Sequence, residues 1–262
     1  VELQINSVEP LSHCTNALPL EVNSENDYGE EVRLKYRYLD LRREKMQKNI
    51  KLRHSVINFV REFMNSEGFM ELATPILTAP SPEGARDYLV PSRIHKGSFY
   101  ALPQAPQQFK QLYIASGIDK YFKIAPCFRD EDSREDLSPG EFYQIDMEMS
   151  FATQEDVLDI ISRLLFEVFD KFKGKQKSVN NLPFPTCTFK ESMEQFGCDK
   201  PDLRNPLRLK NVTEFFKGSG LQIFEKLIEK GAIVNCIEAS KSQGKPRSFY
   251  DNLNKWAIDQ GK

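Results

Sequence analysis

Residues 121–151 read YFKIAPCFRDEDSREDLSPGEFYQIDMEMSF. Two stretches of alternating character flank a charged loop, the pattern of an antiparallel hairpin. In the second stretch Tyr143, Ile145, Met147 and Met149 share one face, and Phe142, Gln144, Asp146 and Glu148 share the other, because successive side chains of a strand point to opposite sides. In the first stretch Phe122, Ile124 and Phe128 share one face, and Lys123, Arg129 and Glu131 the other. If the apolar faces pack on a core, the polar faces make a floor of amide, carboxylates, arginine and one ring. An ordinary half-buried hairpin with a wet outer face fits the same alternation. The residue types favour a binding floor, since a wet face is usually Lys, Thr and Ser without a lone Phe.

The chain has 262 residues, 40% hydrophobic and 28% charged, enough for one large domain or one domain and part of a second. A net charge of −2 gives no global basic field, so nucleic-acid contact requires a local patch. No apolar run approaches membrane-spanning length and no signal peptide is visible at Val1; the expectation is a cytoplasmic protein with no membrane partner. Cys14, Cys127, Cys187, Cys198 and Cys236 are scattered without a CxxC pair, which reads as reduced thiols. His13, His54 and His95 form no HExxH, so no metal site built from this chain's own side chains is expected.

On the N-terminal side of the hairpin, VELQINSVE (1–9) looks like the last strand of an upstream module, and LPLEVNSENDYGEE (18–31) like a linker. Arg33 to Arg53 carries nine Lys and Arg against Asp40 and Glu44. Either Tyr36, Leu39 and Leu41 pack inward beneath solvated cations, or the stretch lies near RNA phosphates. Leu52, Val56, Val60 and Phe63, with Ile57 and Met64, predict an amphipathic helix over Gln47–Asn65. GFMELATPIL (68–77) predicts a short strand interrupted by Pro75. TAPSPEGARDYLVPSR (78–93) is irregular, with exposed Glu83, Arg86 and Asp87, as in a lid or a solvent loop. A helix starts at about Gln107, behind Pro106, and places Gln107, Lys110 and Gln111 on one face.

Beyond the hairpin, Thr153 and Asp156 form a capping-box-like start to a helix whose stripe is Val157, Ile160, Ile161, Leu164, Leu165, Val168, Phe169 and Phe172. KGKQKSVNNLPFPT (173–186) is a linker. Phe189, Met193 and Phe196 suggest a short helix, and from Leu207 helix-like and strand-like pieces alternate in a smaller α/β unit. KGSG (217–220) does not match a phosphate-binding loop.

FRDE (128–131), a charged loop, then GEFYQIDME (140–148) resembles motif 2 of the class II aminoacyl-tRNA synthetases. The flanking sequence resembles the aspartyl enzymes of bacterial and mitochondrial type. The helix, strand and Pro75 resemble motif 1, which forms the dimer interface in that class. SPEGARDYLVPSR (81–93) resembles the aspartyl enzymes' mobile loop, and DKPDLRNP (199–206) the junction into an insertion domain. The resemblance implies an α+β fold: an antiparallel sheet flanked by helices, with part of a smaller α/β insertion domain. Residues 1–32 would be the end of an oligonucleotide-binding anticodon domain and a hinge. Residues 33–204 would be the catalytic core with motifs 1 and 2, and 205–262 the start of the insertion domain.

The implied activity is ATP-dependent ligation of L-aspartate to its tRNA through aspartyl-adenylate, by a homodimer. By the same match Arg129 is catalytic and binds ATP together with Glu131 and Phe142. Glu83, Gln107, Lys110, Gln144 and Asp146 bind aspartate, and Arg134 meets the tRNA. Mg²⁺ is expected, with ligands outside this chain. Two departures bear on details. Ala105 stands where many relatives have Ser, and SPGE makes the hairpin loop one residue longer than in other relatives. No glycine-rich motif 3 follows, so this polypeptide alone is expected to make little or no adenylate. The competing readings are a class II ligase for asparagine or lysine, and a non-catalytic RNA-binding or dimerisation paralogue. SPEGARDYLVPSR and PQAPQQFKQL favour aspartate, and intact Arg129, Glu131, Phe142 and Asp146 speak against a decayed site.

Overall fold

The computed structural model describes residues 4–260 apart from 14, 25, 132–138, 176, 240, 241 and 243, and the chain divides into two units, Val1–Phe184 and Pro185–Lys262. The first unit runs α1 (Glu30–Lys35), α2 (Arg37–Asp40), α3 (Glu44–Ser66), β1 (Met70–Glu71), β2 (Leu89–Pro91), β3 (Phe99–Ala101), α4 (Gln107–Ala115), β4 (Lys120–Phe128), β5 (Glu141–Met149) and α5 (Gln154–Phe172).

β4 and β5 pair antiparallel over their whole length, from Lys120↔Met149 to Phe128↔Glu141. β1 lies on the other side of β4 and runs parallel to it, with Met70 opposite Tyr121. The sheet is therefore mixed, which corrects the purely antiparallel expectation. The forty-odd residues between β1 and β4 hold a two-stranded antiparallel ribbon (β2 with β3) and α4, ample for the crossover a parallel pair needs. The segment at 4–10 forms no strand and is exposed, because no described segment lies beside it to complete a ladder.

The core sits where the apolar end of the hairpin meets α3 and α5. Val60, Phe63, Met64, Phe69, Phe122, Ile160 and Leu164 are buried together, with Val56, Ile124, Met147, Met149 and Val168 packed against them. α5 begins with the predicted capping box: Thr153 Oγ1 accepts from the Asp156 N–H and Asp156 accepts from the Thr153 N–H. Arg163 on α5 clamps Glu67 at the end of α3 with two bonds, 2.5 and 2.8 Å. At the other end of β5 the apolar face is uncovered. Tyr143 is 53% exposed and Ile145 47%. With Leu52 and Val56 of α3 they line an open groove of about 370 Å³.

The basic stretch is three helices rather than one. Tyr36 and Arg43 leave helical geometry, and Asp40 explains why the chain turns there. Its carboxylate is fully buried and pairs with Arg33 (3.1 Å), Arg37 and Arg43 (3.6 Å). Arg43, itself 8% exposed, also donates to the Asn26 carbonyl and lies over the Tyr28 ring. Burial alone would raise the Asp40 carboxyl. The hydrogen bond and charge of Arg33, with Arg37 and Arg43 behind it, hold it below the usual carboxylate range instead.

Asp40→Asn keeps the volume and removes the charge, leaving a buried guanidinium uncompensated. Such losses cost about 3–5 kcal/mol, and the partly exposed Arg33 and Arg37 can turn to water, so about 3 kcal/mol is expected. Because the folded-state pKa is depressed, this contribution is present above the unfolded value of about 3.9 and lost as pH falls through the folded one. Urea titrations of both proteins at pH 7 and at successively lower pH check this. An unchanged midpoint at pH 7, or a difference that persists at the acid end, contradicts it.

The second unit holds α6 (Phe189–Phe196), β6 (Leu209–Asn211), α7 (Thr213–Phe216), α8 (Gln222–Glu229), β7 (Asn235–Ile237) and α9 (Arg247–Asp259). β6 and β7 pair antiparallel. Thr188 and Glu191 make a second capping box at the start of α6, which stops at Gly197 in the left-handed region, φ +72°. Among the described residues no helix is long and apolar enough to cross a membrane.

Candidate active site

The antiparallel register fixes which groups share the polar face. Directly opposite residues point to the same side, so Cys127 stands beside Phe142, Ala125 beside Gln144, Lys123 beside Asp146 and Tyr121 beside Glu148. The face is far from wet. Tyr121 and Cys127 are fully buried, Ala125 is 1% exposed and Asp146 9%. α4 covers it: Tyr113 stacks on Tyr121 at 5.9 Å and donates its hydroxyl to the Ala73 carbonyl.

From α4, Lys110 reaches down to the floor. Its ammonium donates to Asp146 Oδ1 at 2.8 Å and lies 3.1 Å from Glu148 Oε2. Lys110 is 8% exposed, and burial alone would lower its pKa. The hydrogen bonds and charges of Asp146 and then Glu148 outweigh that and raise it, so the lysine stays a cation. Lys110 faces both carboxylates, and Lys123, opposite Asp146, turns its ammonium to Thr74 while staying within electrostatic reach of Asp146. Asp146 Oδ2 and the Tyr121 hydroxyl are buried without a well-formed hydrogen bond, although the phenol lies near enough to Asp146 to interact with it. Burial and the Asp146 charge push the Tyr121 phenol up, so it remains a neutral donor. A buried carboxylate oxygen with acceptor capacity to spare is suited to an ammonium group.

At the other end of the same strand face, the Arg129 N–H donates to the Gly140 carbonyl (2.9 Å) across the mouth of the hairpin. Its guanidinium lies over the Phe142 ring, 4.9 Å from the centroid. Among the described residues that guanidinium has no carboxylate partner. A cation–π contact of about 0.5–2 kcal/mol orients it and leaves its N–H fork available to an oxyanion. One face of the Phe142 ring is thereby occupied by the guanidinium. Between the two ends, the Cys127 thiol donates to Gln144 Oε1 at 3.3 Å. Burial pushes this thiol up to about 11, and the charges of Asp146 and Glu83 add to that against Arg129, so it is not a nucleophile.

Glu83 itself is exposed on the 78–93 loop, close enough for its charge to register at Cys127. The loop is held against the mouth of the hairpin. The Asp130 N–H donates to the Arg86 carbonyl (3.0 Å), and the Tyr88 hydroxyl stands 2.4 Å from where a Cβ on Gly140 would be. A side chain at Gly140 would have to displace the Tyr88 ring from the mouth of the hairpin. Glu131 is exposed and Gln107 half-buried; neither bonds to the cluster. Arg134 lies outside the described residues. The structure thus brings Lys110, Gln144, Asp146, Arg129 and Phe142 onto one floor, with Glu83 in electrostatic reach. Sequence reasoning missed two partners. Glu148 was placed on the right face by period-two alternation but given no task. Gln104, buried beneath the loop (1% exposed), belongs to no periodic pattern that could have marked it.

Comparison with known proteins identifies the family of the chain. Residues 29–247 match the family described as tRNA synthetases class II (D, K and N). The chain is 56% identical over 261 residues to the aspartate–tRNA(Asp/Asn) ligase of Paramagnetospirillum magneticum, covering 100% of this chain and 30% of that protein. It is 55% identical over 263 residues to the ligase of the same name from Pelagibacter ubique, covering 100% and 44%. The chain thus spans less than half the length of these relatives. A solved structure from Leishmania major Friedlin, assigned as an aspartyl-tRNA synthetase, superposes with a TM-score of 0.52 at 24% identity, covering 60% of this chain and 31% of that one; it speaks for the fold alone. On a family match that runs through both strands of the hairpin and well beyond them, the chain belongs to the class II tRNA synthetases of the D, K and N group.

Proposed function

We propose that the protein containing this chain is an ATP-dependent ligase that joins L-aspartate to tRNA through aspartyl-adenylate. The observation that carries this reading is the order of groups along one face of β5. A ring with a guanidinium over it comes first, then an amide, then a carboxylate locked to a buried lysine. ATP lies with its base on Phe142 and its α-phosphate at Arg129, with Glu131 beside the nucleotide. The substrate's α-carboxylate oxygen attacks the α-phosphorus, the bond to the β-phosphate bridging oxygen breaks, and pyrophosphate leaves. Charge gathering on the α-phosphate oxygens is met by the pre-oriented Arg129. The terminal ribose of the tRNA then takes the aspartyl group and AMP departs.

Selection follows from Asp146 and Lys110. The substrate ammonium goes to Asp146, with Gln144 and Gln107 as amide partners and Glu83 closing from the loop. Lys110 gives hydrogen bonds to Asp146 and Glu148 and keeps a third N–H for the substrate's side-chain carboxylate. The relatives' shared name supports tRNA of either the Asp or the Asn kind as acceptor. In this reading Arg134 touches the tRNA, and α3 with the Pro75 segment forms a homodimer interface. Residues 1–32 end an anticodon domain, 33–204 belong to the catalytic core, 205–262 open an insertion domain, and the protein works in the cytoplasm.

The reaction class implies Mg²⁺, which neutralises phosphate charge when bound. Among the described residues no three metal-ligating side chains gather, and Asp146 and Glu148 are committed to Lys110.

The test is ATP–pyrophosphate exchange by the intact protein with aspartate, asparagine or lysine as the amino acid. Aspartate is expected to exceed both others by more than about 10²-fold, because the neutral or cationic analogues leave Lys110 unpaired or repelled. Comparable stimulation by asparagine would sink the aspartate reading.

A further inference from the structure

Gln104 lies between β3 and α4, in neither a strand nor a helix, and is 1% exposed. Its side-chain amide accepts from the Ala85 N–H (3.2 Å) and donates to the Ala85 carbonyl (2.9 Å), the pair of bonds a neighbouring strand would supply. The same nitrogen donates to Asp87 Oδ1 at 2.5 Å. Only an amide in this orientation satisfies all three, since flipping it sets oxygen against the Ala85 carbonyl and the Asp87 carboxylate. The anchor is itself rigid. The adjacent Pro103 is buried and its carbonyl accepts from the Phe128 N–H (2.9 Å) at the end of β4. Arg129 follows directly on that side, and α4 with Gln107 and Lys110 begins three residues on from Gln104.

One buried side chain therefore ties residues 85 and 87, just beyond Glu83, to the frame that carries both ends of the floor. We propose that Gln104 is a positioning residue that holds the Glu83 loop at the mouth of the hairpin, from which Glu83 reaches the amino acid in the reading above, and so sets affinity for the amino acid without touching it. The proposal rests on the ligase reading given above. The amide is the right group for the task. It replaces a backbone pairing that the Pro- and Gly-containing loop cannot find in a sheet, and being uncharged it costs little to bury once fully bonded.

The test uses the intact ligase with Gln104→Glu, near-isosteric but unable to donate to Ala85 or Asp87. The expected result is a rise of about 10-fold in KM for aspartate, the scale of one or two lost buried hydrogen bonds, with KM for ATP within twofold of wild type. Limited trypsin digestion gives a readout independent of activity: cleavage after Arg86 is expected to quicken in the variant. Asp87→Asn in the Gln104→Glu background restores a donor facing the new carboxylate and is expected to recover part of both effects. Should Gln104→Glu fail to fold, Asp87→Ala removes one of the three bonds and is expected to move both readouts less, in the same direction.

Unchanged aspartate KM with unchanged cleavage overturns the inference. An equal loss in both substrates' KM and in thermal stability overturns it too, because that is a purely structural role. Wild-type enzyme without aspartate-dependent exchange would refute the ligase reading instead, and the cleavage comparison would still judge the loop anchor.

Discussion

Replacing Arg129 by lysine in the intact ligase is expected to cut aspartate-dependent ATP–pyrophosphate exchange by about 10²-fold or more, the cost of losing one oriented donor to a developing oxyanion. The structure says why a retained positive charge is insufficient. The guanidinium is oriented by the face of Phe142, and among the described residues no carboxylate holds its planar fork. A lysine ammonium is a compact point charge on a flexible stem, strongly hydrated, and offers no fork to two phosphate oxygens. The loss should fall on kcat more than on KM for ATP, since the bond strengthens as charge develops. Near-normal exchange by Arg129→Lys would remove Arg129 from the reaction.

Lys110→Met is expected to raise KM for aspartate by about 10²–10³-fold while leaving KM for ATP near wild type. The change removes a charge-assisted bond to the ligand worth about 1.5–3 kcal/mol. It also strands two carboxylates, Asp146 and Glu148, that now share one cation 2.8 and 3.1 Å away. Those carboxylates would then repel the substrate's own side-chain carboxylate, which they tolerate only because Lys110 stands among them. Steady-state exchange at varied aspartate and fixed saturating ATP checks this, with a melting curve to confirm folding. A folded Lys110→Met enzyme whose aspartate KM moves less than threefold would assign the ammonium to the floor's architecture alone.

Much of this was legible in the residues. Period-two alternation identified the hairpin and sorted its faces correctly, and a 3.6-residue stripe with a capping box identified α5. Strand direction was not legible, because β1 has the same side-chain pattern whether it runs with β4 or against it. Nor were the breaks after α1 and α2, where Asp40 gathers Arg33 of α1, Arg37 of α2 and Arg43 just before α3. The Lys110–Asp146 pair joins positions 36 residues apart, and no local rule reports such a contact. The uncovered groove shows the opposite failure: Leu52, Tyr143 and Ile145 have core periodicity, yet nothing described covers them.

The unbroken register of β4 with β5 makes the hairpin a measuring stick. At roughly 3.4 Å per residue, Phe142 and Asp146 are held about 13–14 Å apart, a span set by chain count rather than by any side chain. Removing or adding one residue within 141–149 would turn every group over: carboxylates would enter the space now filled by Met147 and Met149, and the methionines would face the ligand. The connecting loop obeys no such constraint, because both strands keep their partners whatever its length.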